Sequence, residues 1–185
     1  MDRKQLITVE QFRALARPTS VHLDQDEVNA YIRECEDSNI IPAIGWERFK
    51  AATGLGDWGS SVMADFSPDV FLDGGEYEVK NHCNCEGGTK ETKYTSGIRK
   101  ALAYFVYARL LRADGTIVSR AGGMRHRDDY SDHVKDVSSN NQYDDAMNMA
   151  QSYLTDALLY LKAYTKQGEV KQPADRRVRI KAIGD

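Results

Sequence analysis

Apolar positions recur at helical spacing along most of the chain, and strict two-residue alternation interrupts them only in short stretches. Thr8 with Gln11 forms a capping box: the threonine oxygen takes an orphan amide and the glutamine reaches back. A short helix therefore starts there, and Arg17-Pro18 must end it. The residues before Thr8 read as a loose arm. Asp24 with Glu27 repeats the start signal, and Val28, Tyr31, Ile32 and Cys35 follow as one buried stripe. Asp26, Glu34, Glu36 and Asp37 fall to a solvated acidic outer face. Pro42 either opens a further helix at its first turn or kinks the same one, with Ile41, Ile44, Trp46 and Phe49 giving apolar contact until Gly54 stops it.

From "GLGDWGSSVMADFSPD" the helical period is lost and a loop is expected. "EYEVK" and "TKETKY", residues 76–80 and 89–94, alternate as two short strands joined by "NHCNCEGG", a protruding hairpin inserted at about 74–95. The next helix, from about Ser96 to Ala113, bears Ile98, Leu102 and Phe105 on one apolar stripe and Ala101, Tyr104, Ala108 and Leu111 on a second. Both sides want cover. "TIVSR" reads as a short strand and Gly122-Gly123 as a turn. Ser139 or Asn140 caps the last helix, Tyr143, Met147, Ala150, Leu154, Ala157, Leu158 and Leu161 keep its period, and Gly168 closes it. In the basic stretch that follows, Val178, Ile180 and Ala182 alternate with Arg177, Arg179 and Lys181, a strand pattern suited to adding to an edge in another subunit. The expected fold is mainly α: a small antiparallel helical bundle with a protruding β-hairpin and extended N- and C-terminal arms. Residues 1–168 form the domain and residues 169–185 a basic C-terminal arm.

At 185 residues the chain buries enough surface to fold without a disulfide or a structural metal. A net charge of −3 and a pI near 5.8 give no field that would draw in a phosphate backbone or an anionic membrane. The charged start "MDRKQLITVEQF" lacks a signal-peptide core, and "ALAYFVYA" is far too short to span a bilayer, so an aqueous compartment is expected. Cys35, Cys83 and Cys85 are odd in number and suit a reducing cytoplasm. His82, Cys83 and Cys85 lack a second ligand pair beyond Cys35 or His22, so a polar hairpin tip is favoured over a zinc site. His126, Asp128, Asp129, Asp132 and His133 offer ligands or a general base for a metal-dependent hydrolase, but no metalloprotease spacing, nucleophile elbow or phosphate loop accompanies them. The alternation of Arg120, Arg125 and Arg127 with carboxylates and Met124 suits protein contact instead. The tyrosines at 104, 107, 153, 160 and 164 stand at helical spacing and read as packing rather than a base-stacking platform.

The order of elements, with "TVEQFRALARPTS", "YIRECEDSNIIPAIGWERF", "GIRKALAYFVYARLLRADGTIVSRAGG" and "YDDAMNMAQSYLTDALLYLKAY", resembles the head-tail connector (adaptor) proteins of tailed bacteriophages over about residues 8–165. The stretch "FLDGGEYEVKNHCNCEGGTKETKY" and the basic tail have no close counterpart in that likeness. The resemblance implies a non-enzymatic virion protein with no cofactor and no bound metal. It would assemble in the host bacterial cytoplasm and sit at the head-tail junction as a ring, commonly of twelve copies. Such a ring joins the portal protein to the next neck or tail component and extends a channel through which DNA passes without specific binding, some acidic side chains facing the lumen. A helix with two apolar stripes can turn one to its own bundle and the other to a neighbour. Leu102, Phe105, Tyr104, Ala108 and Leu111 are accordingly the candidate subunit interface. By the same resemblance Arg120, Gly122, Gly123, Met124, Arg125, Arg127, Arg176, Arg177, Arg179 and Ile180 are the candidate portal or neck contacts. The competing readings are the hydrolase built on residues 126–133 and a monomeric helical binding module of a prophage regulator.

Overall fold

A computed structural model describes residues 3–18, 24–59, 62–80, 90–113, 116–119, 122–125 and 136–165. It is mainly helical, with two small antiparallel hairpins. Helix α1 (Val9–Leu15) opens with the expected capping box: the Gln11 amide donates to Thr8 Oγ1 at 3.2 Å, and the Thr8 amide donates to Gln11 Oε1 at 2.9 Å. The segment before it is irregular but not loose. Leu6 and Ile7 are buried in the core, and Arg3 pairs with Glu36 and Asp37.

Helix α2 (Gln25–Cys35) buries Val28, Ile32 and Cys35, as its stripe demands. Of the two alternatives at Pro42, the structure takes the first: Pro42 stands in the first turn of a further helix. Residues Glu36–Ile40 form a π-turn that feeds directly into α3 (Ile41–Ile44), and the Ile41 amide donates to Glu36 O. The wider turn accommodates a proline that has no amide and whose ring crowds the preceding carbonyls. Gly45, at φ +85°, then turns the chain into α4 (Trp46–Ala52), and Gly54 follows the end of α4 as expected. Within the expected loop, Pro68 starts a short helix, α5 (Pro68–Asp73), at the first-turn position where a missing amide costs nothing.

Strands β1 (Gly75–Lys80) and β2 (Lys90–Thr95) pair antiparallel with Tyr77 opposite Lys93. The base of this hairpin is pinched between two glycines. A Cβ on Gly97 (φ +80°) would lie 2.5 Å from the Gly74 amide nitrogen, and one on Gly74 (φ +93°) would lie 2.7 Å from the Thr95 carbonyl oxygen. No other residue type allows that approach without strain. Strand β3 (Thr116–Ser119) pairs with β4 (Gly122–Arg125), placing Gly122 opposite Ser119 and Gly123 opposite Val118. The expected turn at Gly122-Gly123 is thus corrected: both glycines are strand residues.

Helix α6 (Ile98–Ala113) is the axis of the core. Ile98, Ala101, Leu102, Ala103, Val106 and Ala108 are fully buried. Helix α7 (Asp136–Ala163) lies along one side, while α1, α2 and α5 pack on the others. A helix that is apolar all round is stable only when enclosed, and here one chain supplies the enclosure. The cations of α6 are all held: Arg99 bonds both carboxylate oxygens of Asp73 at 2.8 Å, Arg109 reaches Glu34 at 3.2 Å, Lys100 sits 4.8 Å over the Tyr153 ring and Arg112 5.2 Å over Tyr143. Helix α7 starts at Asp136, ahead of the expected cap at Ser139 or Asn140, and ends at Ala163, ahead of Gly168. Tyr160, buried within it, is the hub of an aromatic cluster. Its ring lies 4.9 Å from Tyr77 and Tyr164 and 5.5 Å from Phe66, and its hydroxyl accepts from the Ser67 amide at 2.9 Å while donating to the Ser67 carbonyl at 3.0 Å.

Two substitutions test this packing. Leu102→Asp places an unpaired charge in a fully buried site and should leave the isolated chain without a cooperative unfolding transition by circular dichroism; a stable, folded variant would mean α6 is wrongly placed. Gly97→Ala should lower the free energy of unfolding by about 2–4 kcal/mol in a urea titration, and a loss below about 0.5 kcal/mol would contradict the close crossing with Gly74.

Candidate functional site

The candidate subunit-interface residues on α6 are placed by the core. Leu102 and Ala108 are fully buried and Phe105 is 2% exposed, so none of the three is offered to another copy. That expectation is corrected, because α7 covers one side of the helix and α1, α2 and α5 the others. Tyr104 and Leu111 are half-buried. The Tyr104 ring packs 5.2 Å from Tyr153 on α7 and 6.5 Å from Tyr107, so these tyrosines serve helix-helix packing.

Of the candidate portal or neck contacts, Gly122, Gly123, Met124 and Arg125 form strand β4. Arg120, Arg127, Arg176, Arg177, Arg179 and Ile180 lie outside the described residues. So do His22, His82, Cys83, Cys85 and the whole 126–133 cluster. Cys35, the other possible zinc ligand, is sealed in the core, where burial pushes its thiol up to about 11. Among the described residues no three His, Cys, Asp or Glu side chains are gathered to hold a metal ion, and no helix is long and apolar enough to cross a membrane.

Two features escaped the sequence reading. The first is Glu36, expected on the solvated acidic face but fully buried. It stands one turn after Ile32 and two after Val28, at the edge of the buried stripe, so its phase along the helix was the available signal. Its Oε1 accepts from the Leu6 amide at 2.6 Å and its Oε2 from Arg3 Nη2 at 2.7 Å. Arg3 in turn bonds Asp37 and lies 5.2 Å over the buried Phe49 ring. One carboxylate therefore ties the N-terminal segment, the π-turn and α4 together. Burial raises the Glu36 carboxyl above its ordinary value of 4.5, against the opposing pull of the Leu6 amide and the Arg3 guanidinium.

The second is an open cleft of about 560 Å³ between the start of α4 and the loop after it, lined by Ile44, Trp46, Glu47, Arg48, Asp57 and Trp58. Trp46 is 47% exposed although its ring stacks on Phe49 at 5.8 Å. Trp58 is anchored from behind by Phe66 at 4.8 Å and Phe71 at 5.4 Å. Two indoles, one stacked on Phe49 and the other packed on Phe66 and Phe71, thus line the cleft together with charges of both signs.

Glu36→Ala orphans the buried Leu6 amide and takes from Arg3 one of its two carboxylate partners, and should cost about 2–3 kcal/mol in a urea titration; a loss below about 0.5 kcal/mol would mean the contact is not formed. The pH dependence has a definite sign. With its pKa raised by folding, Glu36 holds its proton more tightly in the native state, so its own contribution to stability falls as pH rises from 4.5 through the native pKa. Glu36→Gln should remove that component from the stability-versus-pH curve, and identical slopes in both proteins would count against the burial.

A family of unknown function, DUF6712, matches residues 68–177, more than half of the chain. The matched span starts at Pro68, the first residue of α5, and takes in the β1–β2 hairpin, α6, β3, β4 and α7. The hairpin region, which has no close counterpart among the connector-like features of the sequence, is thus inside the family's own span. No curated protein and no solved structure matches the chain. With the match running from the first proline of α5 beyond the end of α7, the chain belongs to the DUF6712 family.

Proposed function

We propose that this protein is a structural virion component, a ring-forming connector that joins a phage portal to the neck or tail and prolongs the DNA channel. The observation that carries the reading is where apolar surface remains in water. With α6 enclosed, the large exposed apolar side chains among the described residues are Trp46, Leu55, Met63, Tyr94 and Leu159. They stand on α4, the loop after it, the β1–β2 hairpin and the outer face of α7. Exposed apolar groups around a self-sufficient core suit a rigid block that joins its neighbours through its periphery.

The order of helices and the tyrosine-rich α6 support the connector resemblance. The partners in this reading are further copies of the chain, twelve by the resemblance, together with the portal protein and the next neck or tail component. DNA passes through without being gripped. Asp24, Asp26 and Glu27 at the exposed start of α2 are the kind of acidic group that keeps a channel wall from holding phosphates within a Debye length of about 8 Å. No chemical step is part of this function.

Negative-stain imaging of the purified chain mixed with its cognate portal should show an added ring under the portal. A portal that stays bare at micromolar protein would contradict the proposal.

A further inference from the structure

We infer that the cleft between α4 and its following loop receives the basic C-terminal segment, residues 169–185, of a neighbouring copy of this chain; the inference rests on the ring reading and names one of its subunit contacts. Since α6 spends its apolar surface inside one chain, contact between copies has to use other groups. Among the described residues, three of the five large exposed apolar side chains, Trp46 at 47%, Leu55 at 60% and Met63 at 41%, fall on α4 and the loop that follows it. Trp46 and Trp58 line the cleft, with Glu47 and Asp57 outnumbering Arg48 at its edge.

The C-terminal segment has the matching chemistry. It carries five cations against three carboxylates, a charge of +2, so the remainder of a chain that totals −3 carries −5. In extended form it presents Val178 and Ile180 on one side and Arg177 and Arg179 on the other. One side meets the indoles, and the guanidinium groups reach the carboxylates of Glu47 and Asp57. The described chain ends beside this loop: Thr165 bridges Val62, and the Met63 amide donates to the Tyr164 carbonyl at 2.8 Å. Seventeen residues in extended form reach about 56 Å, longer than the roughly 42 Å of α7. A donor on one face and a different acceptor on another make a heterologous contact, the kind that closes rings.

The test uses full-length protein in sedimentation equilibrium. Wild type should associate with concentration. Trp46→Ala with Asp57→Lys on the cleft side, or Arg176→Glu, Arg177→Glu and Arg179→Glu on the arm side, should weaken association at least tenfold with unchanged circular dichroism. Glu47→Lys gives a second cleft-side change at an exposed position, where folding is not at stake. The decisive arm is the mixture of the two defective proteins: each keeps one working half, so together they should form a one-to-one dimer and stop there. A mixture that stays monomeric, as it would if the arm folded onto its own cleft, overturns the inference. So does a wild type that is monomeric throughout, or variants that associate like wild type. A chain that fails here but still rings a portal under the microscope loses this contact and keeps the connector function.

Discussion

The enclosure of α6 is the constraint from which the rest of the molecule follows. A sixteen-residue helix that is apolar on nearly every side has no stable position at a surface, so other elements must surround it. Helix α7 covers one flank, and α1, α2 and α5 cover the others. The hairpin is then fixed at its base by the glycine crossing and by Tyr77, which packs on Tyr160 from α7. Cations that α6 still carries are steered to its rim, where Asp73, Glu34 and two tyrosine rings take them. The helix that suggests self-association by its sequence is the one that makes a single chain sufficient.

Around this apolar core, one buried carboxylate does the joining that apolar contact leaves undone. Glu36 sits where the α2–α3 helix widens to a π-turn and holds the backbone of the N-terminal segment by one oxygen and Arg3 by the other. Because the Arg3 guanidinium also lies over Phe49, the segment before α1 seals the end of the core nearest α4. The cleft lies on that same α4, so its geometry depends on the Glu36 contact. Removing the carboxylate should loosen the platform on which Trp46 stands.

Helices announced themselves in the sequence wherever spacing and caps agreed. The Thr8–Gln11 box, the α2 stripe, the Gly54 stop and the two hairpin strands stand where the pattern placed them, within a residue or so. What the pattern hid has physical causes. The charge of Glu36 points to solvent although its phase puts it on the buried edge, and its partner lies 33 residues away in a segment with no period. The two apolar stripes of α6 were visible, but pattern cannot say whether a stripe is covered by the same chain or by another. Pro68 reads as loop punctuation in the sequence, but a proline at a first helical turn is equally a start signal. Gly122 and Gly123 looked like a turn because glycine permits one, yet the β3 register uses them as strand residues. The cleft depends on residues from α4 and a loop about ten positions later, a juxtaposition that only the fold reveals.

In the proposed ring the contacts between copies thus lie at the periphery of the chain rather than in its middle: exposed tryptophan and leucine near α4, and the basic segment beyond α7. That arrangement requires α6 to complete its packing within one chain. Amide hydrogen exchange on the α6 backbone, followed in the isolated protein from dilute to concentrated solution, tests that most directly. Protection of Leu102 to Ala108 should equal the global unfolding free energy at every concentration. Amides that exchange freely in dilute protein and gain protection only as copies associate would show that the helix needs a neighbour after all.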